Sequence, residues 1–466
     1  MNWKKIAPFA LPALVYTINT ISACAQNGTY NPPLGTKTLY VAGKDTAAPA
    51  PAGYVPFFIN YIGRHGARHA TGTTELQRLD TFLQEAANAG ALLPDGQRLQ
   101  GMIKILLGIE NKYPAGRLTA IGEAEQFRIG QDMGQRYPDV VRQPGDCLQV
   151  MSTSEVRTVQ SADQFLKGLA SQSSCISRTP DDSIRLRFFS LSPAYRDYEK
   201  KGAWKQAQAR LESAGSYQSA NAAILHRLFD SVWATKLLQG QWAAFKTPGG
   251  FTMAMYAAAV LAPGLKEELH LAGYRPEDVN IFSLLSPQEA AQLDFVDAAR
   301  DYFVKGPGLD AEGIQVRVAA PLLADFIVSS DQWLADGKKG ADLRFAHAET
   351  IAPLAAIMGC EGADSAVTDP FHYAEVWRSD RLMGYSANIQ WVFYRRDSSS
   401  RGNRPANVDD CLLKVLYNER PIHLPVPTGQ YPYYSWKQVR EYYLHKLYTL
   451  DAGPGRDMYT YLRSLK

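Results

Sequence analysis

Cysteine is scarce in this chain, neither sign of charge dominates, and beyond the N-terminal segment no run of about 20 apolar residues occurs. The 466 residues carry 49 Lys+Arg against 46 Asp+Glu, a formal net charge of +3. That balance excludes a nucleic-acid-coating surface and an acidic tail, and the missing apolar runs exclude a membrane span in the mature chain. The 5 cysteines include no C-x-x-C pair, which removes the usual spacing of a structural zinc site. Internal repeats and low-complexity segments are also missing. What the chain does have is core-forming material. It is 46% hydrophobic and 11% aromatic, enough to exclude disorder over most of its length. The length predicts two or three domains, or one large domain with an insertion.

Residues 1–25 read as an export signal. Lys4 and Lys5 precede an apolar run from Ile6 to Ile18, broken by Pro8 and Pro12, and then comes Ile21-Ser22-Ala23-Cys24-Ala25-Gln26. Two processing routes stay open: ordinary cleavage at Ala25, or a lipobox whose Cys24 is acylated as a lipid anchor. Both predict an exported protein, whether periplasmic, secreted or an outer-membrane lipoprotein. Both leave Cys147, Cys175, Cys360 and Cys411, an even set in an oxidising compartment. Of the three possible pairings, Cys147 with Cys175 and Cys360 with Cys411 are preferred, only because each pair is the closer in sequence.

A strand, a charged loop and a helix recur along the chain. The aromatic run from Phe57 to Ile62 predicts a buried strand, followed by Gly63-Arg64-His65-Gly66-Ala67-Arg68-His69 and a helix capped by Thr73 or Thr74. Leu148 to Met151 predicts a second strand, followed by Ser152-Thr153-Ser154 and a helix with Ser154 as cap and Arg157 in its first turn. A third unit runs from Leu343 to Ala346, through His347-Ala348-Glu349-Thr350, into a helix ended by Gly359. Between them, 192–325 changes character to amphipathic helical patterns, and strands return at Asn388–Tyr394 and Leu412–Tyr417. The expected division is a signal at 1–25, an α/β core in two parts at 29–191 and 326–466, and a mainly helical insertion or cap at 192–325.

Ligands of open α/β sheets bind beyond the carboxyl ends of strands, near helix N-termini. All three charged junctions occupy such positions. Arg64, Arg68 and Arg157 offer forked donors suited to phosphate oxygens. His65, flanked by arginines that favour its neutral form, is the natural nucleophile toward phosphorus. His347 is a further donor, and Glu349 is the carboxylate placed to protonate a leaving oxygen.

Arg64-His65-Gly66-Ala67-Arg68 resembles the RHGxR signature of the histidine acid phosphatases, branch 2 of the histidine phosphatase superfamily. His347-Ala348-Glu349-Thr350 resembles the HAE(T) element of the multiple inositol-polyphosphate phosphatase group. Further matches are Leu118-Thr119-x-x-Gly122, the Arg157 segment, Ser386-Ala387-Asn388-Ile389-Gln390 and Leu416-Tyr417-Asn418-Glu419-Arg420-Pro421, in family order from about residue 57 to 425. The resemblance implies an α/β core of histidine-phosphatase type with a helical cap. It also implies a phosphohistidine on His65, a phosphate clamp of Arg64, Arg68, Arg157 and His347, and Glu349 as proton donor. No metal or cofactor is implied, and the substrates would be phytate and other inositol phosphates. The family's RHGxRxP form is not kept, because His69-Ala70 follows Arg68, which leaves the pocket rim open to question.

His69, Arg196 and Lys201 are candidate additional substrate contacts; for Arg196 and Lys201, with Lys200 and Lys205, a solvated helix face is the competing reading. His65, His69, His347 and Glu349 could alternatively be ligands of a metal-dependent hydrolase. A broad acid or sugar phosphatase on the same scaffold, and an exported phosphate-binding protein with an idle pocket, complete the competing functions. No nucleic-acid partner is expected, and the sequence leaves the oligomeric state open.

Overall fold

A computed structural model describes residues 32–43, 49–180, 183–397 and 408–466. The segment 1–25 expected to be an export signal, including Cys24, lies outside them. Eight strands form one mixed sheet: β1 (Tyr54–Arg64), β2 (Cys147–Ser152), β3 (Cys175–Pro180), β4 (Gly340–Ala346), β5 (Asn388–Arg396), β6 (Leu412–Tyr417), β7 (Arg420–Pro421) and β8 (Tyr433–Ser435). Their order is β3-β2-β4-β1-β5-β6-β7, with β8 paired to β6. β3, β2, β4 and β1 run parallel, and β5 returns antiparallel to β1.

The pleat sends alternate side chains to opposite faces, and both faces are covered. Ile59 and Tyr61 of β1, Leu148 and Val150 of β2, and Leu343 and Phe345 of β4 pack with Ile129, Met133, Phe165 and Leu169 of the Ala120–Arg136 and Val156–Leu169 helices. Phe58 and Ile62 point to the other face, into a larger core shared with the helices. Between β3 and β4 the described residues form helices and turns and add no strand to the sheet. The Thr74–Asn88 and Pro94–Glu110 helices also pack on this helical layer, against Pro248–Leu261 and Gly215–Leu228 respectively. No helix among the described residues is long and apolar enough to cross a membrane.

Register decides where the loops meet. Arg64 pairs with Ala346, and Ser152 with Phe345, so β1, β4 and β2 stop side by side at one edge. The loops that follow them open onto a common site. The β4 unit closes as its sequence predicts: the Ala348–Met358 helix ends on Gly359 in the left-handed conformation, φ +69. The second junction differs by one residue. Glu155, rather than Ser154, is the N-cap of the Val156–Leu169 helix, and no side chain bonds to its cap, so the Ser154 hydroxyl stands outside the turn it was expected to close. Arg157 still falls in the first turn.

Cys147 and Cys175 are register partners that open the adjacent strands β2 and β3, and they form a disulfide at the end of the sheet opposite the charged loops. The second expected bridge does not form: Cys360 and Cys411 are both buried free thiols. Cys360 follows the Ala348–Met358 helix near Asp364 and Lys446, whereas Cys411 precedes β6 near Asp410 and Arg395. Proximity in sequence carries no information about two positions reached from different elements.

Candidate active site

The Arg64–Arg68 loop is built mainly from backbone contacts. The His65 N–H donates to Ala346 O of β4 at 3.0 Å, and Ser386 N–H donates to His65 O at 3.1 Å. A buried carboxylate holds the next turn: Ala67 N–H and the Ser386 hydroxyl donate to Glu125 at 2.9 and 2.8 Å, while Gln126 donates to Arg64 O at 2.9 Å. Glu125 and Gln126 both lie on the Ala120–Arg136 helix, whose N-cap Thr119 accepts from Gly122 N–H. That helix crosses the loop at backbone contact. A Cβ on Gly122 would stand 1.9 Å from Ala67 O, and one on Gly66 would stand 2.4 Å from Gly122 O. Glycine at both positions is a condition of the loop's shape.

His65 is buried, and its Nδ1 lies 2.9 Å from Gly66 O. A carbonyl only accepts, so Nδ1 carries the hydrogen and Nε2 keeps its lone pair. Burial, then the charges of Arg64 and Arg68, hold the imidazole well below its usual pKa, and it stays neutral. The His347 ring lies 5.8 Å from it, centroid to centroid. Thr153, at the end of β2, places Oγ1 3.0 Å from His347 Nε2 and 2.8 Å from Thr158 Oγ1. Because Thr158 donates to the Thr153 and Glu155 carbonyls, Thr153 donates to Thr158 and accepts from His347 Nε2–H. His347 Nδ1 is thereby left with a lone pair until it is protonated. Burial lowers the pKa of His347 to about 4.

The three arginines are held differently. Arg64 donates to the carbonyls of Thr36 and Met383 and lies over the Tyr385 ring at 4.8 Å. Arg68 donates to His69 O at 2.8 Å, and Arg157 pairs with Glu155 at 2.8 Å. Their Nε atoms are buried without a hydrogen-bond partner. Arg64 and Arg68 sense one another's charge, as do Arg68 and Arg157. A pocket lined this way suits a compact polyanion.

Glu349, in the first turn of the Ala348–Met358 helix, is ion-paired to Lys305 at 3.0 Å, and Lys305 also reaches Asp301 at 2.8 Å. Burial alone would raise the Glu349 pKa, but the Lys305 ammonium, with His347, holds it well below the ordinary carboxylate range. Sequence reasoning missed Lys305, Asp301 and Thr153. Thr153 had a signal, since it directly follows a strand at a charged junction; a lysine at the end of the distant Pro287–Lys305 helix had none.

Other candidates lie elsewhere. His69 is buried between Glu110 at 3.5 Å and Glu268 at 3.9 Å and stacks on Tyr113. The two carboxylates approach opposite ring nitrogens, so the trio does not converge on one point. Among the described residues no group of three or more His, Cys, Asp or Glu is placed to hold a metal ion. Arg196 is exposed, and the exposed Lys201 pairs with Asp197 on its own helix at 3.3 Å. The structure gives neither a contact with the His65 cluster.

Residues 58–223 match the family model of the histidine phosphatase superfamily (branch 2). No curated protein sequence gives a significant match. Among solved structures, the apo form of Bifidobacterium longum multiple inositol polyphosphate phosphatase aligns with a TM-score of 0.76 at 19% identity, covering 87% of this chain and 96% of that one. Its complex with inositol hexasulfate aligns at 0.75 and 20% identity, with the same coverage of 87% and 96%. The phytase from D. castellii aligns at 0.60 and 14% identity, over 89% of this chain and 84% of its own. Sequence match and fold agree: this chain resembles branch 2 of the histidine phosphatase superfamily and has the fold of its multiple inositol polyphosphate phosphatases.

Proposed function

We propose that this protein is an exported phosphomonoesterase that hydrolyses phytate and other inositol polyphosphates through a phosphohistidine on His65. The observation that carries the reading is the fixed tautomer of His65: a buried, neutral imidazole whose Nδ1–H is held by Gly66 O, whose Nε2 keeps its lone pair, and which lies within the field of Arg64 and Arg68. The family match and the fold support phosphatase chemistry. The inositol hexasulfate bound by the B. longum protein, a sulfate analogue of an inositol polyphosphate, supports the substrate class.

In the first step Nε2 forms a bond to phosphorus as the bond from phosphorus to the inositol oxygen breaks. The arginines neutralise charge on the non-bridging oxygens, and His347, which takes up a proton from solvent at Nδ1 as the arriving anion favours its charged form, donates a further hydrogen bond. Glu349 gives its proton to the leaving oxygen, and the alcohol departs. In the second step water attacks phosphorus as the bond to Nε2 breaks, its protons leave with the released phosphate, and neutral His65 is restored, while Glu349 is reloaded with a proton from solvent. The Cys147–Cys175 disulfide suits an oxidising compartment.

Rapid acid-free quenching with 32P-labelled inositol hexakisphosphate tests the scheme. An acid-labile, base-stable phosphoprotein is expected in the wild type and absent in His65→Ala. A His65→Ala variant with near-normal turnover would refute it. Comparing phosphate release from phytate and glucose 1-phosphate separates this substrate class from a broad sugar phosphatase.

A further inference from the structure

The Lys305 ammonium is shared between two carboxylates, Asp301 on its own helix and Glu349 across the pocket. Lys305 is the last residue of the Pro287–Lys305 helix, and Glu349 lies in the first turn of Ala348–Met358. Each charge already complements the dipole of its own helix end, so neither depends on the other to be tolerated there. Glu349 is the most open of the three, 36% exposed against 18% for Lys305 and 16% for Asp301. Glu349 is thus the carboxylate more accessible to an arriving anion, and Asp301 is a second partner for the ammonium.

The surroundings favour exchange over a permanent bridge. Arg64 from the end of β1, Arg157 from the Val156–Leu169 helix and His347 add positive charge or polarity near Glu349. Tyr195 of the Pro193–Lys201 helix senses both Glu349 and Asp301, Tyr373 faces Asp301, and Asp297 lies one helical turn before Asp301. Asp297 is raised to about 6 by burial and then by the Asp301 charge. Lys305 is therefore flanked by carboxylates that keep it protonated whichever way it turns.

We propose that Lys305 gates the proton donor: in the empty pocket it holds Glu349 as a carboxylate, and on substrate arrival its ammonium moves to the phosphate oxygens while keeping Asp301, which frees Glu349 to take up a proton from solvent. That proton is the one later delivered to the leaving inositol oxygen, so the acid is loaded only when a phosphate is present. This inference rests on the assignment of Glu349 as donor made above.

The signature is a separation between two pH profiles. The alkaline limb of kcat/KM reports Glu349 in the free enzyme, and that of kcat reports it in the complex. With an inositol phosphate substrate the wild-type kcat limb is expected about one pH unit or more above the kcat/KM limb, the scale of one nearby charge. In Lys305→Met the separation narrows to what the substrate's own charge produces and KM rises about tenfold, as for loss of one charged hydrogen bond; Lys305→Arg retains the separation. Asp301→Asn, which leaves Lys305 wholly to Glu349, widens it. A uniform loss of kcat/KM in Lys305→Met with the separation unchanged overturns the proposal, as does an unchanged separation in Asp301→Asn should Lys305→Met fail to fold. Phosphoenzyme trapping on the same wild-type sample keeps the two levels apart: its failure sinks the proposed chemistry, whereas trapped phosphohistidine with unmoved limbs sinks only the gate.

Discussion

Replacing Glu349 with glutamine isolates the proton from everything else the residue does. The amide keeps the size of the carboxyl group, and Lys305 retains Asp301 at 2.8 Å, so the change strands no cation. What disappears is the group that protonates the leaving oxygen. General acid catalysis contributes about 10² to 10⁴ in rate, and an inositol alkoxide is a poor leaving group, so kcat for phytate should fall by about 10³. That is about 4 kcal/mol of barrier. Nitrophenolate leaves with little protonation, and kcat for nitrophenyl phosphate should fall by less than about tenfold. In the proposed scheme both substrates pass through the same phosphohistidine, so the ratio of their losses reads the proton alone. Released phosphate and nitrophenolate absorbance measure the two rates on one preparation. Equal losses on the two substrates would show that Glu349 serves binding or architecture, and the assignment would fall.

Three further outcomes follow from particular contacts. Gly122→Ala would gain about 1 kcal/mol in a free-standing helix, yet here its Cβ would stand 1.9 Å from Ala67 O, so denaturant unfolding should show a net loss of about 2 to 3 kcal/mol, together with loss of turnover as the Arg64–Arg68 loop is displaced. His347 has a folded pKa of about 4 against 6.5 unfolded, so the unfolded chain binds the extra proton; the stability His347 contributes is present above pH 6.5 and is lost as pH falls toward 4, amounting to about 3 kcal/mol. His347→Gln should flatten the pH dependence of unfolding free energy by that amount over this window, and an unchanged slope would refute it. Glu155 pairs with Arg157 at 2.8 Å and stands 4.0 Å from Arg187; Glu155→Gln should tighten competitive inhibition by inorganic phosphate by about three- to tenfold, measured as Ki, in keeping with a partly exposed pair worth about 1 kcal/mol.

The legible parts of this protein are those in which sequence neighbours are also structural neighbours. A buried strand that ends in a charged loop and is followed by 3.6-residue periodicity marks its own boundaries, and β6 spans Leu412–Tyr417 as its apolar pattern predicts. Arg64, His65, Arg157, His347 and Glu349 could be picked out because each lies within a few residues of such a boundary. Contacts made across the fold leave no such trace. Glu125, which holds the Ala67 N–H, and Ser386, which donates to the same carboxylate, are separated by 261 residues. The i, i+4 spacing of His65 and His69 suggested a shared metal face, but that inference requires a helix. The segment is a loop, and it sends the two rings to different neighbours.

The near balance of charge over the chain has a local counterpart at the site. A site of the proposed kind, holding several phosphates, needs a local excess of cations, and cations gathered together repel one another, as Arg64, Arg68 and Arg157 do. The empty site relieves this internally: Arg64 rests on two carbonyls, Arg157 on Glu155, and Lys305 on Asp301 and Glu349. A phosphate group then binds by exchange, replacing a carbonyl or carboxylate partner instead of meeting a bare charge. Exchange weakens binding relative to an uncompensated cluster, but it also lets the reaction turn over, because each cation has a partner waiting when phosphate leaves. On the proposed mechanism, the carboxylates that compensate the site are therefore part of its release of phosphate, and one of them, Glu349, is also the proposed proton donor.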